Sequence, residues 1–233
     1  MDALGGDRAP EEPVAGAVMA ARNFPDTQIL LAGPPEVINA QLGKLAPRPG
    51  NIVIVPASER IGMDESPVQA LREKRDSSIT VGMTRVVEGE ADAFVSAGNT
   101  GAVVAASSLG LGLIAGVQRP GIVVPMRLID RPLIVIDVGA NIHCKSMHLL
   151  QYGIMATVFA REIFHLANPR VGLLNVGEEA GKGTMLVKKA FQLLSAAELN
   201  FVGNVEAKDA LSGGCDIVVC DGFAGNVLLK TCE

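Results

Sequence analysis

The chain has 233 residues, 48% of them hydrophobic and 19% charged, with a formal net charge of −5. A chain of that length can bury a substantial core as one large domain or as two lobes, and its composition excludes disorder over most of it. The acidic balance and the lack of a long Lys/Arg block argue against nucleic acid as the main partner, because neutralising phosphates takes a clustered basic surface.

In chain order, strand signals fall at residues 28–32, 51–56, 93–96, 121–125, 133–137, 171–176 and 216–221. Most are continuous apolar runs, the pattern of strands covered on both faces, and they predict parallel pairing. Helical patterns lie between them at 11–22, 35–44, 68–74, 77–88, 102–115, 146–165 and 184–197. Pro67 suits a first helical turn and Ser66 a cap before it. The alternation predicts a three-layer α/β/α domain with a mostly parallel sheet, residues 1–233 forming one catalytic domain. The opening on a Gly-rich turn, and the close at Glu233 just after a helical signal has begun at Val227, predict a piece of a longer protein.

Residues 102–117 are the most membrane-like stretch, yet glycines interrupt them and they fall short of the roughly 20 residues a span requires. They read as a buried helix, with an acyl-tunnel wall as the alternative. Arg72-Glu73-Lys74-Arg75 is the best local basic patch, and its mixed signs fit a solvated helix face. Cys144, Cys215, Cys220 and Cys232 form no C-x-x-C pair and follow no secretory leader, so reduced thiols in the cytoplasm are expected. His143 and His148 flank Cys144 at a spacing that matches no zinc pattern, and no metal is expected.

Five apolar runs break into turns rich in Gly with Asp or Asn. They are Asp2-Ala3-Leu4-Gly5-Gly6-Asp7, Ser96-Ala97-Gly98-Asn99-Thr100-Gly101, Asp137-Val138-Gly139-Ala140-Asn141, the loop from Asn175 through Glu178 to Gly183, and Asp221-Gly222-Phe223-Ala224-Gly225-Asn226. Loops leaving the carboxyl ends of parallel strands gather along one edge, where they can share a ligand cleft. Such turns bring backbone N–H groups close to an anion, and Asn99-Thr100-Gly101 sits before a helical pattern that would add a helix N-terminus. G-x-G-x-x-G and the P-loop are both absent, so no cofactor is expected.

Lys182, between two glycines, suits charge neutralisation on a phosphate or a developing oxyanion, or else points to solvent from a helix-entry loop. Asn226 fits an oxyanion donor or a helix cap. Asp137 and Asp221, at strand ends, could orient such groups or simply form turns. With no G-x-S-x-G turn, and with Cys220 lacking a base and reading as a packing residue, direct attack by a bound small molecule is the chemistry left.

Together, in this order and across nearly the whole chain, these five segments resemble PlsX, the bacterial phosphate acyltransferase family. The resemblance implies transfer of a long-chain fatty acyl group from acyl carrier protein to inorganic phosphate, giving acyl phosphate for phospholipid synthesis. It also implies a homodimer with a fold similar to the isocitrate and isopropylmalate dehydrogenases and the phosphotransacetylases. Family enzymes work at the inner face of the membrane, near the next acyltransferase, which uses glycerol 3-phosphate. Lys182 and Asn226 match the family's essential lysine and asparagine. The implied phosphate or substrate contacts are Asp2, Gly5, Gly6, Asp7, Asn99, Thr100, Gly101, Asp137, Gly139, Asn141, Glu178, Asp221 and Gly222. His143 and Thr184 stand where the family commonly has Asp and Asn, and the family's first strand and C-terminal segment have no counterpart here. The alternatives are a short-chain acyl-CoA phosphotransacetylase and a non-catalytic scaffold that binds acyl carrier protein.

Overall fold

The computed structural model describes residues 1–128 and 131–233. Its contacts divide into two compact units, Met1–Gly112 and Leu113–Glu233.

In the first unit, β1 (Ile29–Gly33) and β2 (Ile52–Pro56) pair in parallel, and Asp2 bridges to Ala32 beside them. Helices α1 (Glu11–Asn23) and α2 (Pro35–Lys44) bury Val14, Ala17, Val18, Ile38 and Leu42 against Leu31 and Ile52. A separate apolar cluster joins α3 (Pro67–Glu73), α4 (Ser78–Val87) and α5 (Thr100–Gly110) through Ala70, Ile79, Met83, Ala102 and Ala106. Pro67 does occupy the first turn of α3, but the Ser66 side chain makes no capping bond. Ser77 caps α4 instead, accepting from the Thr80 N–H.

Two expectations fail in this unit. The apolar stretch after residue 100 is not one buried helix. Helix α5 stops at Gly110, a glycine with positive φ follows at Gly112, and Leu109 is 74% exposed. The run at 93–96 joins no strand ladder and is tied through the Val95 carbonyl, which accepts from the Asp2 N–H. Lys74, from the basic patch, is committed internally, donating to Glu65 at 2.6 Å and to the Arg60 carbonyl.

The second unit holds a five-stranded sheet ordered β3 (Val123–Arg127), β4 (Pro132–Ile136), β7 (Ile217–Val219), β5 (Val171–Leu174), β6 (Phe201–Val205). All neighbours are parallel except β3 and β4, whose connection from Leu128 to Arg131 is too short for the crossover a parallel pair requires. Period-two alternation sends Ile134 and Ile136 to one face, against Leu149, Tyr152 and Ala156 of α6 (Ser146–Phe164) and Leu194 of α7 (Met185–Ser195). Leu133 and Val135 face the other way, toward Ala210 of α8 (Ala207–Ser212) and Leu228 of α9 (Gly222–Cys232). Helices thus cover both faces of a mostly parallel sheet, the α/β/α layering expected.

This topology fixes where a ligand can enter. The connection after β4 runs to α6 on one face, while that after the adjacent strand β7 runs to α9 on the other. Where neighbouring connections part in this way, a crevice opens at the carboxyl ends of the strands. Asp137, Asp221 and Asn226 all lie at that end.

Candidate active site

Asp137 ends β4 fully buried, and backbone N–H groups satisfy its carboxylate. Oδ1 accepts from Ile122 at 3.0 Å, Gly139 at 3.2 Å and Ala140 at 3.0 Å, while Oδ2 accepts from the Asn141 N–H at 2.8 Å. Four N–H groups converging on one side chain fold residues 138–141 into a fixed loop. Asp137 is therefore the organiser of that loop.

Asn141 locks the loop from outside. Its side-chain amide donates to the Pro120 carbonyl at 2.6 Å, to the Tyr152 hydroxyl at 2.9 Å and to Asp137 at 3.3 Å. Its carbonyl accepts from the Gly222 N–H at 2.8 Å, which ties the loop to the first residue of α9.

Helix α9 can approach this closely because of two glycines spaced one turn apart. A Cβ on Gly222 would come within 2.8 Å of the Asn141 carbonyl oxygen. A Cβ on Gly225 would overlap the Asp137 carbonyl and lie 2.8 Å from Cys220 Sγ. Spacing of i and i+3 puts both on the face that meets the 137–141 loop. Asp221 caps the helix, accepting from the Ala224 N–H at 2.8 Å. The capping alternative for Asn226 is thereby excluded, since α9 begins five residues earlier than that reading requires. Asn226 instead donates its amide to the Val138 carbonyl at 3.1 Å, over Gly139, and is otherwise exposed. An –NH₂ has two hydrogens, so one remains for a ligand.

Lys182 lies in the loop after β5, the strand next to β7, and so leaves the same edge of the sheet as the turn bearing Asn226. Asn175 organises this loop, donating its amide to the Lys182 carbonyl at 3.1 Å and accepting from the Val176 N–H. Gly183, at φ +84°, packs where a Cβ would strike the Asn175 amide. Thr184 caps α7 through the Val187 N–H. The Lys182 side chain is exposed, as is Glu178.

In the first unit, Asp2 is a buried turn organiser as well, accepting from the Leu4 N–H at 3.0 Å and the Ser96 hydroxyl at 2.7 Å. Ser96 in turn accepts from the Gly98 N–H, so the two turns interlock, and a Cβ on Gly5 would strike Asp2 and Gly98. Gly6 sits at φ +95° and Asp7 is exposed. A cavity of about 470 Å³ opens beside them, lined by Gly5, Gly6, Asp7, Arg8 and Glu12. Asn99 caps α5 through the Ala102 N–H and donates to the carbonyls of Gly62, Met63 and Glu65. Thr100 and Gly101 are the first two residues of that helix, with Gly101 close against Pro67.

The thiols of Cys144, Cys215 and Cys220 are held neutral. Burial pushes the Cys220 and Cys144 thiols up from their ordinary range, and Cys215 up to about 11. His148 is buried and accepts from the Lys145 N–H; burial lowers its pKa. Among the described residues, no three of His, Cys, Asp and Glu gather as a metal site would require.

The family model described as fatty acid synthesis protein matches residues 1–233. Phosphate acyltransferase of Halothermothrix orenii is 46% identical over 235 residues, covering 100% of this chain and 70% of that one. The enzyme of the same name from Acidobacterium capsulatum is 47% identical over 236 residues, with 100% and 69% covered. This chain belongs to the phosphate acyltransferase family. Among solved structures, a phosphotransacetylase from Streptococcus pyogenes matches with TM-score 0.71 at 19% identity, over 98% of this chain and 79% of that one. The 4-hydroxythreonine-4-phosphate dehydrogenase from Klebsiella pneumoniae matches with TM-score 0.52 at 15% identity, over 88% and 75%. At such identities both matches speak to the fold, which is the one expected.

The residues that fix the turns were not legible in the sequence as such. Ser96, Val138, Tyr152, Asn175 and Gly225 hold the turns in place without standing out as chemical groups. The one signal available was the Gly222/Gly225 spacing, which marks a helix face pressed against backbone.

Proposed function

We propose that the chain transfers a long-chain acyl group from acyl carrier protein to inorganic phosphate, forming acyl phosphate for phospholipid synthesis. A phosphate oxygen attacks the thioester carbonyl, the C–O bond forms, the tetrahedral intermediate collapses, and the carrier leaves as thiolate. The free N–H of Asn226 takes the oxyanion, and the Lys182 ammonium offsets charge on the phosphate. A well-placed oxyanion donor contributes about 2.7–4 kcal/mol to such a step. Residues 1–233 act as one catalytic domain in this reading.

The observation that carries the proposal is the Asn226 amide, fixed on the Val138 carbonyl with one hydrogen unspent, on the sheet edge that Lys182 also leaves. Burial of Cys144 and Cys220 supports the absence of an acyl-enzyme, since a neutral thiol is a poor nucleophile. A homodimer, work at the inner face of the membrane from the cytoplasm, and a glycerol-3-phosphate acyltransferase neighbour belong to the same reading. Among the described residues no helix is long and apolar enough to cross a membrane.

Donor comparison tests this reading. Phosphate-dependent thioester loss should be fast with palmitoyl carrier protein and slow with acetyl-CoA. The reverse preference would assign a phosphotransacetylase, and binding without turnover a scaffold.

A further inference from the structure

We infer that Tyr152 is a positioning residue for Asn226, acting through Asn141; this rests on the reading of Asn226 as the oxyanion donor. Tyr152 is the only tyrosine in the chain, and it sits fully buried on α6 beneath the 137–141 loop. Its ring packs in the core with Ile136, Leu149 and Leu194, a role phenylalanine would fill equally well. The hydroxyl needs a separate reason, because burying it without partners is costly. Its partners are all at the loop: it accepts from the Asn141 amide at 2.9 Å, donates to the Pro120 carbonyl at 3.4 Å, and lies 4.0 Å from Cys144 Sγ.

From Asn141 the constraint reaches Asn226 by two routes. The Asn141 carbonyl receives the Gly222 N–H and so sets where α9 starts. The Asn141 N–H closes on Asp137, completing the loop whose Val138 carbonyl holds the Asn226 amide. Without the phenol oxygen, the Asn141 amide loses one of its two closest acceptors and the loop gains freedom at the point from which Asn226 hangs. Displacing an oxyanion donor slows the chemical step while leaving ground-state binding intact.

The test is Tyr152→Phe in the whole protein, assayed with palmitoyl carrier protein and phosphate beside Asn226→Ala and the double variant. Tyr152→Phe should fold with Tm lowered by a few degrees and lose about tenfold in kcat, with both KM values within about twofold. In the Asn226→Ala background the same change should cost almost nothing. Amide exchange at Gly139–Asn141 should rise about tenfold in Tyr152→Phe. A kcat within twofold of the parent, or an equal loss in both backgrounds, would overturn the inference while leaving the role of Asn226 standing. Full turnover by Asn226→Ala would remove that role and this inference with it.

Discussion

Asn226 on α9 and Val138 after β4 are 88 residues apart in the chain and joined by a 3.1 Å hydrogen bond from amide to carbonyl. Asp137 folds the loop that presents that carbonyl, and Gly222 and Gly225 let the helix bearing the amide settle against it. The arrangement costs one amide hydrogen and leaves the other with a fixed direction.

Replacing Asn226 by Asp should therefore do more than remove a donor. A carboxylate there faces the Val138 carbonyl and opposes the developing oxyanion. We expect kcat to fall by about 10²–10³ with KM for phosphate little changed. Steady-state kinetics with phosphate varied checks this, alongside circular dichroism to verify the fold.

Gly225→Ala should destabilise by about 3 kcal/mol, since the added methyl overlaps the Asp137 carbonyl and α9 must move. For a chain of this size that is a Tm lower by roughly 6–12 °C. Gly16→Ala is the opposite case: it lies inside α1 with open space around it and should stabilise by about 0.5–1 kcal/mol. Thermal melts of the two variants should move in opposite directions.

Burial, assisted by nearby Cys144 and Asp137, raises the Tyr152 pKa far above the ordinary value of 10.0. The native state thus favours the neutral phenol. Its stabilising contribution is complete below pH 10 and drains away above it, at about 1.4 kcal/mol per pH unit. In an alkaline titration, tyrosinate absorbance should appear together with loss of secondary structure. Tyrosinate forming in the folded protein would contradict the burial of the hydroxyl.

At the opposite end of β7, Asp216 accepts two bonds from the Arg170 guanidinium, at 3.1 and 2.8 Å, and one from Arg131 at 3.3 Å. Partial burial alone would raise its pKa, but the hydrogen bonds and charges of the two arginines outweigh it and hold the carboxyl below 3.8. Its contribution is present above that value and lost as pH falls through the lower native one. Asp216→Asn should cost about 1–3 kcal/mol at pH 7, with the difference from the parent shrinking in acid. Urea melts at neutral and acidic pH read both numbers.

Most of the fold was legible because its strands are short apolar runs flanked by turn residues, as at 133–137 and 216–221. Strand β6 was not: Gly203, at φ +99°, and Asn204 break Phe201–Val205 into pieces too short to read, and only its pairing with β5 makes it a strand. The 93–96 run erred in the other direction, apolar enough for a strand yet outside any ladder. At the site, the turns and their glycines could be found from local composition. The partners of Asp137, Asn141 and Asn226 could not, because Ile122, Pro120, Tyr152 and Val138 come close only after the sheet has formed.

Asn226 and Lys182, in the proposed reading, serve a direct attack of phosphate on a thioester. The most direct measurement is hydroxylamine trapping of acyl phosphate from palmitoyl carrier protein, with and without phosphate, in the parent and in Lys182→Ala and Asn226→Asp. Exposed Lys182 should be replaceable with Tm nearly unchanged, so its loss reports on chemistry. Hydroxamate above the enzyme-free background should form only with phosphate, match the thiol released above that background, and fall about 10²-fold or more in both variants. Enzyme-dependent thiol release that proceeds equally without phosphate, or normal hydroxamate from both variants, would contradict direct attack by phosphate.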